Sequence, residues 1–144
     1  MTQVDFYTHA QDKLTIACKL CAKALSAKMR VLAYTPDAAT SEKLSRLLWS
    51  VPQTSFIAHC SSADPLASVT PVIIDHVADP LVHEELLLNL RAELPAFFSR
   101  FARVIEIVSA DDEDRAAARE RYRFYRDRGY PINTHDISGG QADR

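Results

Sequence analysis

Short runs of aliphatic residues alternate along this chain with segments in which apolar residues recur every three or four positions. The runs are typical of buried strands, and the recurring pattern is typical of amphipathic helices. Strands are predicted at residues 4–7, 30–34, 55–59, 71–75, 85–90 and 103–108. This alternation predicts an α/β fold, a single-domain three-layer sandwich around a largely parallel sheet.

Helices are predicted between these strands at residues 12–29, 37–49 and 95–102, and after the last of them at residues 111–128. The last helix is the clearest, because it opens with four acidic residues and ends with Arg126 and Arg128 before Gly129, an order that complements the helix dipole. Residues 85–90 are apolar and short enough to be either helix or strand. A strand is favoured there because a separate short helix and another strand follow.

The positions of the glycines exclude one large class of function. The chain has three, Gly129, Gly139 and Gly140. A phosphate-binding loop needs glycines where the backbone approaches phosphate, usually after the first strand. The sequence therefore predicts a nucleotide-binding-like topology that lacks a phosphate loop. Residues 1–132 are expected to form the domain, and the polar residues 133–144 are expected to be a disordered tail.

Composition indicates one globular domain without a strong electrostatic field. The 144 residues are 47% hydrophobic and 25% charged, with a formal net charge of -2. No apolar run is long enough to cross a membrane, and the first residues do not resemble a secretory signal. Three cysteines form no disulfide framework, which favours a reducing compartment, and in a bacterium that compartment is the cytoplasm.

Candidate catalytic and metal-ligating residues are few. Cys18 and Cys21 form a single C-x-x-C motif on the apolar face of a predicted helix, and only Cys60 with His59 offers a second ligand pair. Both helical cysteines are therefore predicted to be small buried hydrophobic residues. No histidine pair at helical spacing and no G-x-S-x-G motif occurs. We predict no catalytic residue, no metal and no cofactor.

The last helix carries a basic stripe. Arg115, Arg119 and Arg123 are spaced four residues apart, with Tyr122 among them. Arginine forks beside an aromatic ring suit an acidic peptide or a terminal carboxylate. The same pattern suits single-stranded nucleic acid, with a base stacked on the ring. An ordinary solvated helix, with its acids pairing with its arginines, is a third interpretation.

Two large aromatic residues, Trp49 and Phe56, flank the Val51-Pro52 turn. Aromatic residues at the end of an element belong either to the core or to an exposed anchor for a partner. The pattern alone favours the core.

A longer motif covers the last helix. Residues 119–130 read RERYRFYRDRGY, followed by Asn133 and Thr134. This segment resembles the chi subunit family of bacterial DNA polymerase III, whose final helix has the form R-E-R-[YF]-[KR]-x-Y-R. The resemblance covers nearly the whole chain in order, through DFY at 5–7, RVL at 30–32, LWSVPQTSFIAH at 48–59, LLNLR at 87–91 and PAFFSRF at 95–101.

The resemblance implies a non-catalytic accessory subunit of the clamp-loader complex that binds no nucleotide. It implies two partners, the psi subunit, which ties chi to the clamp loader, and the acidic C-terminal tail of single-stranded DNA-binding protein. Contact with DNA would then be indirect, and no membrane is involved. The expected location is the nucleoid-associated replisome in the cytoplasm.

By motif match, the acidic tail is expected at Arg119, Tyr122 and Arg123, with Arg115 and Val108 beside them. The resemblance implies that the arginines take the tail's aspartates and terminal carboxylate, and that apolar surface takes its last phenylalanine. Arg123 stands where the family often has lysine, which keeps the charge but changes the geometry of anion binding.

The same motif match assigns Trp49, Pro52 and Phe56 to the psi-binding surface. In some family members a DNA-repair helicase shares this surface. The resemblance thus implies exposure for residues that the hydropathy pattern alone assigns to the core.

Overall fold

The computed structural model describes residues 1–51, 56–77 and 81–138. Its described strands form one seven-stranded sheet of order β3-β4-β2-β5-β6-β1-β7, and every strand pair is parallel. The strands are β1 (Gln3–Ala10), β2 (Val31–Tyr34), β3 (His59–Cys60), β4 (Val72–Asp75), β5 (Leu86–Asn89), β6 (Arg103–Ser109) and β7 (Ile132–Asp136). The α-helices are α1 (Lys13–Ser26), α2 (Ala38–Ser50) and α3 (Asp112–Asp127).

Two hydrophobic clusters, one on each face of the sheet, make the fold a three-layer sandwich. Residues of α1 and α2 bury one face, and residues of α3 bury the other. The predicted α/β class is confirmed. Cys18 and Cys21 lie in the first cluster, where burial raises the pKa of their thiols to about 11 and about 12. The prediction that they are buried small residues is also confirmed.

Aspartate caps begin the three α-helices. The side chains of Asp12, Asp37 and Asp111 accept hydrogen bonds from backbone N–H groups in the first turn, which lack partners within the helix. Helix α3 ends at Asp127 with Arg128 as its C-cap, and Gly129 follows at φ +80°, a conformation that a glycine adopts without a Cβ clash. The predicted start and end of the last helix are confirmed.

Two elements differ from the sequence prediction. Residues 95–102 form no α-helix but a 3-10 turn, Phe98–Arg100, with Phe98 and Phe101 buried against α3. Burial of two large rings three residues apart suits the three-residue repeat of a 3-10 turn. The strand predicted at 55–59 is instead β3, a short edge strand that begins at His59, and Ser55 lies outside the described residues.

The polar C-terminal segment also differs from its prediction as disordered. Residues 132–136 form β7, which pairs with β1 from Val4↔Ile132 to Thr8↔Asp136. An edge strand satisfies its backbone on one side while its side chains face water, so its hydropathy resembles that of a loop. Residues 139–144 lie outside the described residues.

Candidate functional site

A cavity of about 410 Å³ lies between α3 and the strands β6, β1 and β7; we call it the α3 cavity. Ten residues line it: Phe6, Thr8, His9, Val108, Ser109, Arg115, Ala118, Arg119, Tyr122 and Thr134. Most of the strand residues stand toward the carboxyl ends of their strands. Ligands of parallel α/β sheets commonly bind at this end, beyond the strands.

The floor of the α3 cavity is apolar. Phe6, Val108 and Ala118 are buried. Tyr122 also lines the cavity, and 38% of its surface is exposed. The Tyr122 ring meets the Phe6 ring edge-on, with 5.3 Å between the ring centroids. Ala118 and Tyr122 are four residues apart, so they share one face of α3. The floor therefore fits an apolar or aromatic side chain of a ligand.

Two exposed arginines, one helical turn apart, stand at the rim of the α3 cavity. Arg115 has its nearest carboxylate at 3.8 Å, on the fully exposed Asp112, and Arg119 forms no salt bridge with the described part of the chain. The next two exposed arginines of α3 pair more closely, Arg123 with Glu120 at 2.9 Å and Arg126 with its neighbour at 3.1 Å. The arginines of α3 that lack a close carboxylate partner in the described chain are thus the two at the rim.

A buried polar network beside the α3 cavity holds α3 to the sheet. Glu106 of β6 is fully buried and accepts hydrogen bonds from Arg121 Nε at 2.9 Å, Tyr125 Oη at 2.8 Å and Asn89 Nδ2 at 3.1 Å. Burial raises the pKa of Glu106, and the Arg121 guanidinium opposes that rise. Burial likewise raises the pKa of Tyr125. The network fixes the position of α3, and with it the wall of the α3 cavity.

The sequence analysis did not separate the buried Arg121 from the exposed arginines of the last helix. The spacing could have indicated its burial, because Ala118, Arg121 and Tyr125 recur at three and four residues and form the buried face of α3. An arginine on that face requires a buried carboxylate partner, and Glu106, in the middle of an aliphatic strand, supplies one.

The beginning of α3 is fixed by a second anchor. Asp114 accepts hydrogen bonds from Ser109 N at 2.8 Å and from Lys13 Nζ at 3.1 Å, which join α3 to β6 and α1. Burial alone would raise the pKa of Asp114, but the Ser109 hydrogen bonds and the Lys13 charge outweigh it and hold the pKa below its ordinary value. Arg115, the next residue, is thereby held near the cavity rim.

The α3 cavity brings together four of the five residues predicted for acidic-tail binding. Val108, Arg115, Arg119 and Tyr122 all line it. Arg123 does not, although it continues the stripe, and its guanidinium contacts Glu120 instead. The lining residues that sequence reasoning missed, such as Phe6 and Thr134, come from distant parts of the chain.

A second candidate surface surrounds Trp49 and Phe56, and we call it the Trp49 surface. Trp49 is 60% exposed and Phe56 is 97% exposed, so the assignment to the core that the hydropathy pattern favoured is wrong. Pro52 lies outside the described residues. A smaller cavity of about 340 Å³ lies beside the indole. The Trp49 surface is on the α2 side of the sheet, opposite α3.

A histidine orients the exposed indole of Trp49. The His59 ring lies 5.0 Å from the indole, centroid to centroid, and its Nδ1 is 2.9 Å from the carbonyl oxygen of Ile57. A carbonyl accepts only, so Nδ1 donates there, and Nε2 of the neutral ring accepts from Ser45 Oγ at 3.0 Å. Both ring nitrogens are therefore engaged.

No cluster of three or more histidine, cysteine, aspartate or glutamate side chains able to hold a metal ion occurs among residues 1–51, 56–77 and 81–138. Within the same ranges, no helix has the length and apolar character needed to cross a bilayer.

Comparison with known proteins identifies the family. The sequence profile described as DNA polymerase III chi subunit, HolC, matches residues 1–133. The DNA polymerase III subunit chi of Pseudomonas aeruginosa is 37% identical over 141 residues, 95% of this chain and 98% of that protein. The subunit chi of Haemophilus influenzae is 30% identical, covering 85% of both chains, and that of Escherichia coli is 28% identical, covering 83% of this chain and 82% of its own. The chain belongs to the DNA polymerase III chi subunit family, a family of DNA replication proteins.

Proposed function

We propose that this protein is a non-catalytic replisome adaptor, the chi subunit of a DNA polymerase III holoenzyme. It links the clamp loader, through psi, to the acidic C-terminal tail of single-stranded DNA-binding protein. It acts in the bacterial cytoplasm at the nucleoid-associated replisome, and its contact with DNA is indirect. The observation that carries this proposal is the α3 cavity, with its apolar floor and a rim of uncommitted arginines.

The α3 cavity matches the acidic tail in chemistry. The last phenylalanine of the tail packs on Val108, Ala118 and the edge of Tyr122, where an aromatic side chain loses its contact with water. Its terminal carboxylate and aspartates meet Arg119 and Arg115, which offer planar forks of donors. Charge-assisted hydrogen bonds of this kind contribute about 1.5–3 kcal/mol each, less where water screens them. A micromolar affinity that weakens with salt is expected.

The Trp49 surface is the proposed site for psi, and for a DNA-repair helicase where one competes with psi. Its support is the exposure of two large aromatic side chains, which single soluble domains rarely leave uncovered together without a partner. The Trp49 surface and the α3 cavity lie on opposite faces of the sheet, so both partners can bind at once. Simultaneous binding is what an adaptor requires.

Titration of a fluorescent peptide of the acidic tail into this protein and into Arg119→Ala tests the proposal. We expect saturable binding to the unmodified protein and at least about a tenfold loss in Arg119→Ala, because that guanidinium has no other carboxylate partner in the described chain. Arg126→Ala is the matched control, since Arg126 lies on the same helix but pairs with Asp127 outside the α3 cavity.

Three results would contradict the proposal. Absence of binding at low salt would remove the α3 cavity from the adaptor function. Direct binding of single-stranded DNA would favour the nucleic-acid interpretation if its affinity falls steeply with salt and the acidic tail peptide does not displace the DNA. Equal losses in Arg119→Ala and Arg126→Ala would also contradict it, because they indicate a general charge effect.

A further inference from the structure

The strand β1 contains an irregularity beside the α3 cavity. Tyr7 pairs with Ile107 and Ala10 with Ser109, so three steps along β1 match two along β6, and one extra residue is accommodated. His9 sits in this bulge with φ +64°, in the left-handed region that residues other than glycine rarely adopt. Strained backbone of this kind is retained where surrounding structure holds it, and it is common at functional sites.

The bulge determines which way His9 points. In a regular strand, successive side chains alternate between the two faces, so Phe6 and Thr8 would face α3 while Tyr7 and His9 faced α1. Tyr7 and Ala10 do belong to the hydrophobic cluster on the α1 side. Thr8 and His9, however, both line the α3 cavity. The extra residue therefore brings a histidine to the cavity that the strand period would have turned away.

The His9 ring has a partner that a ligand can replace. Its Nδ1 lies 3.2 Å from Asp136 Oδ1 of β7 and 3.1 Å from Thr8 Oγ1. Both members of the His9–Asp136 pair are more than half exposed, so the pair is weak. Asp136 has another donor, because its carboxylate accepts the Ser138 backbone N–H, which holds its pKa below the ordinary value. The charged groups that face His9 are thus Asp136 from β7 and Arg115 and Arg119 from α3.

We propose that His9 is a third anion-binding residue of the α3 cavity, which leaves Asp136 and donates to a carboxylate of the bound acidic peptide. The left-handed backbone keeps the ring at the cavity mouth, across from Arg119. This inference rests on the proposed function, because it assigns a further contact to the same ligand.

The test compares two substitutions that remove the same kind of backbone strain. Among residues 1–51, 56–77 and 81–138, Lys28 is the other non-glycine residue at positive φ (60°); it is exposed after α1 and does not line the α3 cavity. Both His9→Gly and Lys28→Gly relieve a strained backbone, so neither is expected to unfold the protein. We expect His9→Gly to weaken acidic-tail binding about threefold to tenfold at about pH 6, and Lys28→Gly to leave it unchanged.

Two further readouts identify the contact as one with the carboxylates of the peptide. A peptide with asparagine in place of aspartate and an amidated C-terminus should bind weakly and equally to both proteins. His9→Asn tolerates the left-handed backbone but is too short to replace the ring, so it should resemble His9→Gly.

Binding by His9→Gly equal to that of the unmodified protein overturns the inference, and so does equal loss in His9→Gly and Lys28→Gly. These failures differ from failure of the proposed function. If Arg119→Ala loses binding and His9→Gly does not, the acidic-tail site stands and only the role of His9 falls. If the unmodified protein does not bind the peptide, the proposed function itself fails and the inference falls with it.

Discussion

The α3 cavity and the Trp49 surface lie on opposite faces of one sheet and are built in opposite ways. The α3 cavity is a concave site behind a helix held by the buried Glu106 network and by the Asp114 anchor. The Trp49 surface presents two exposed aromatic side chains, and the His59 ring lies tilted against the indole of Trp49. The difference matches the two partners proposed above, because a small peptide needs a preformed pocket, whereas a larger partner supplies the missing half of an interface.

The largest expected effect tests how strongly α3 is anchored. Arg121→Met should destabilise the protein by about 3–5 kcal/mol, because it leaves the buried Glu106 carboxylate without its cation. Arg126→Met, a change of the same kind at an exposed position of α3, should alter stability by less than about 0.5 kcal/mol. Urea unfolding of the three proteins measures both values. A loss below about 1 kcal/mol in Arg121→Met would mean that the network does not hold the helix.

The second prediction tests whether the two surfaces are independent. Trp49→Ala should weaken psi binding by about 2 kcal/mol or more, near thirtyfold, since truncation of an exposed aromatic anchor is the commonest large loss at an interface. It should leave acidic-tail binding unchanged. Calorimetric titration with psi and with the tail peptide measures both. Equal loss of the two activities would show that Trp49 supports the fold rather than an interface.

The third prediction concerns pH and the start of α3. The pKa of Asp114 is lowered in the folded protein, so its stabilising contribution is present above the unfolded pKa of about 3.8 and disappears as pH falls through the folded value. The free energy of unfolding of Asp114→Asn should therefore be about 1–2 kcal/mol lower at neutral pH than that of the unmodified protein. On acidification below about pH 4, Asp114→Asn should lose less stability than the unmodified protein does. Thermal unfolding at several pH values measures the stability of both proteins. An equal loss of stability on acidification in the two proteins would contradict this assignment.

The smallest expected effect is the salt dependence that separates the two surfaces. Raising salt from about 50 to about 300 mM should weaken acidic-tail binding severalfold, because the contacts of Arg115 and Arg119 are exposed and screened. Psi binding at the Trp49 surface should change by less than about twofold, since its anchors are uncharged. Fluorescence anisotropy at both salt concentrations gives the ratio. A larger salt effect on psi than on the tail would reverse the comparison.

Much of the fold and part of the α3 cavity could be predicted because they depend on local spacing. Helical periodicity brings Arg115, Arg119 and Tyr122 to one side of α3, and five of the seven strands follow from their aliphatic runs. Strand β7 could not be found this way, because an edge strand with polar side chains has the composition of a loop.

The rest of the site depends on long-range packing. Phe6 and Thr134 reach the α3 cavity only because β1 and β7 are neighbours in the sheet. The bulge at His9 has no glycine to signal it. The hydropathy pattern alone could not predict the exposure of Trp49, because an apolar residue at the end of a helix has the same pattern whether a partner or the core covers it.

The central claim is that the acidic tail binds in the α3 cavity and not at the Trp49 surface, and an NMR titration tests it most directly. The chain has one tryptophan, so a single indole N–H signal reports on the Trp49 surface. Addition of the tail peptide to ¹⁵N-labelled protein should shift the amide signals of His9, Val108, Arg119 and Thr134 and leave the indole signal in place. Shifts centred on the indole signal, with the cavity amides unchanged, would contradict the account.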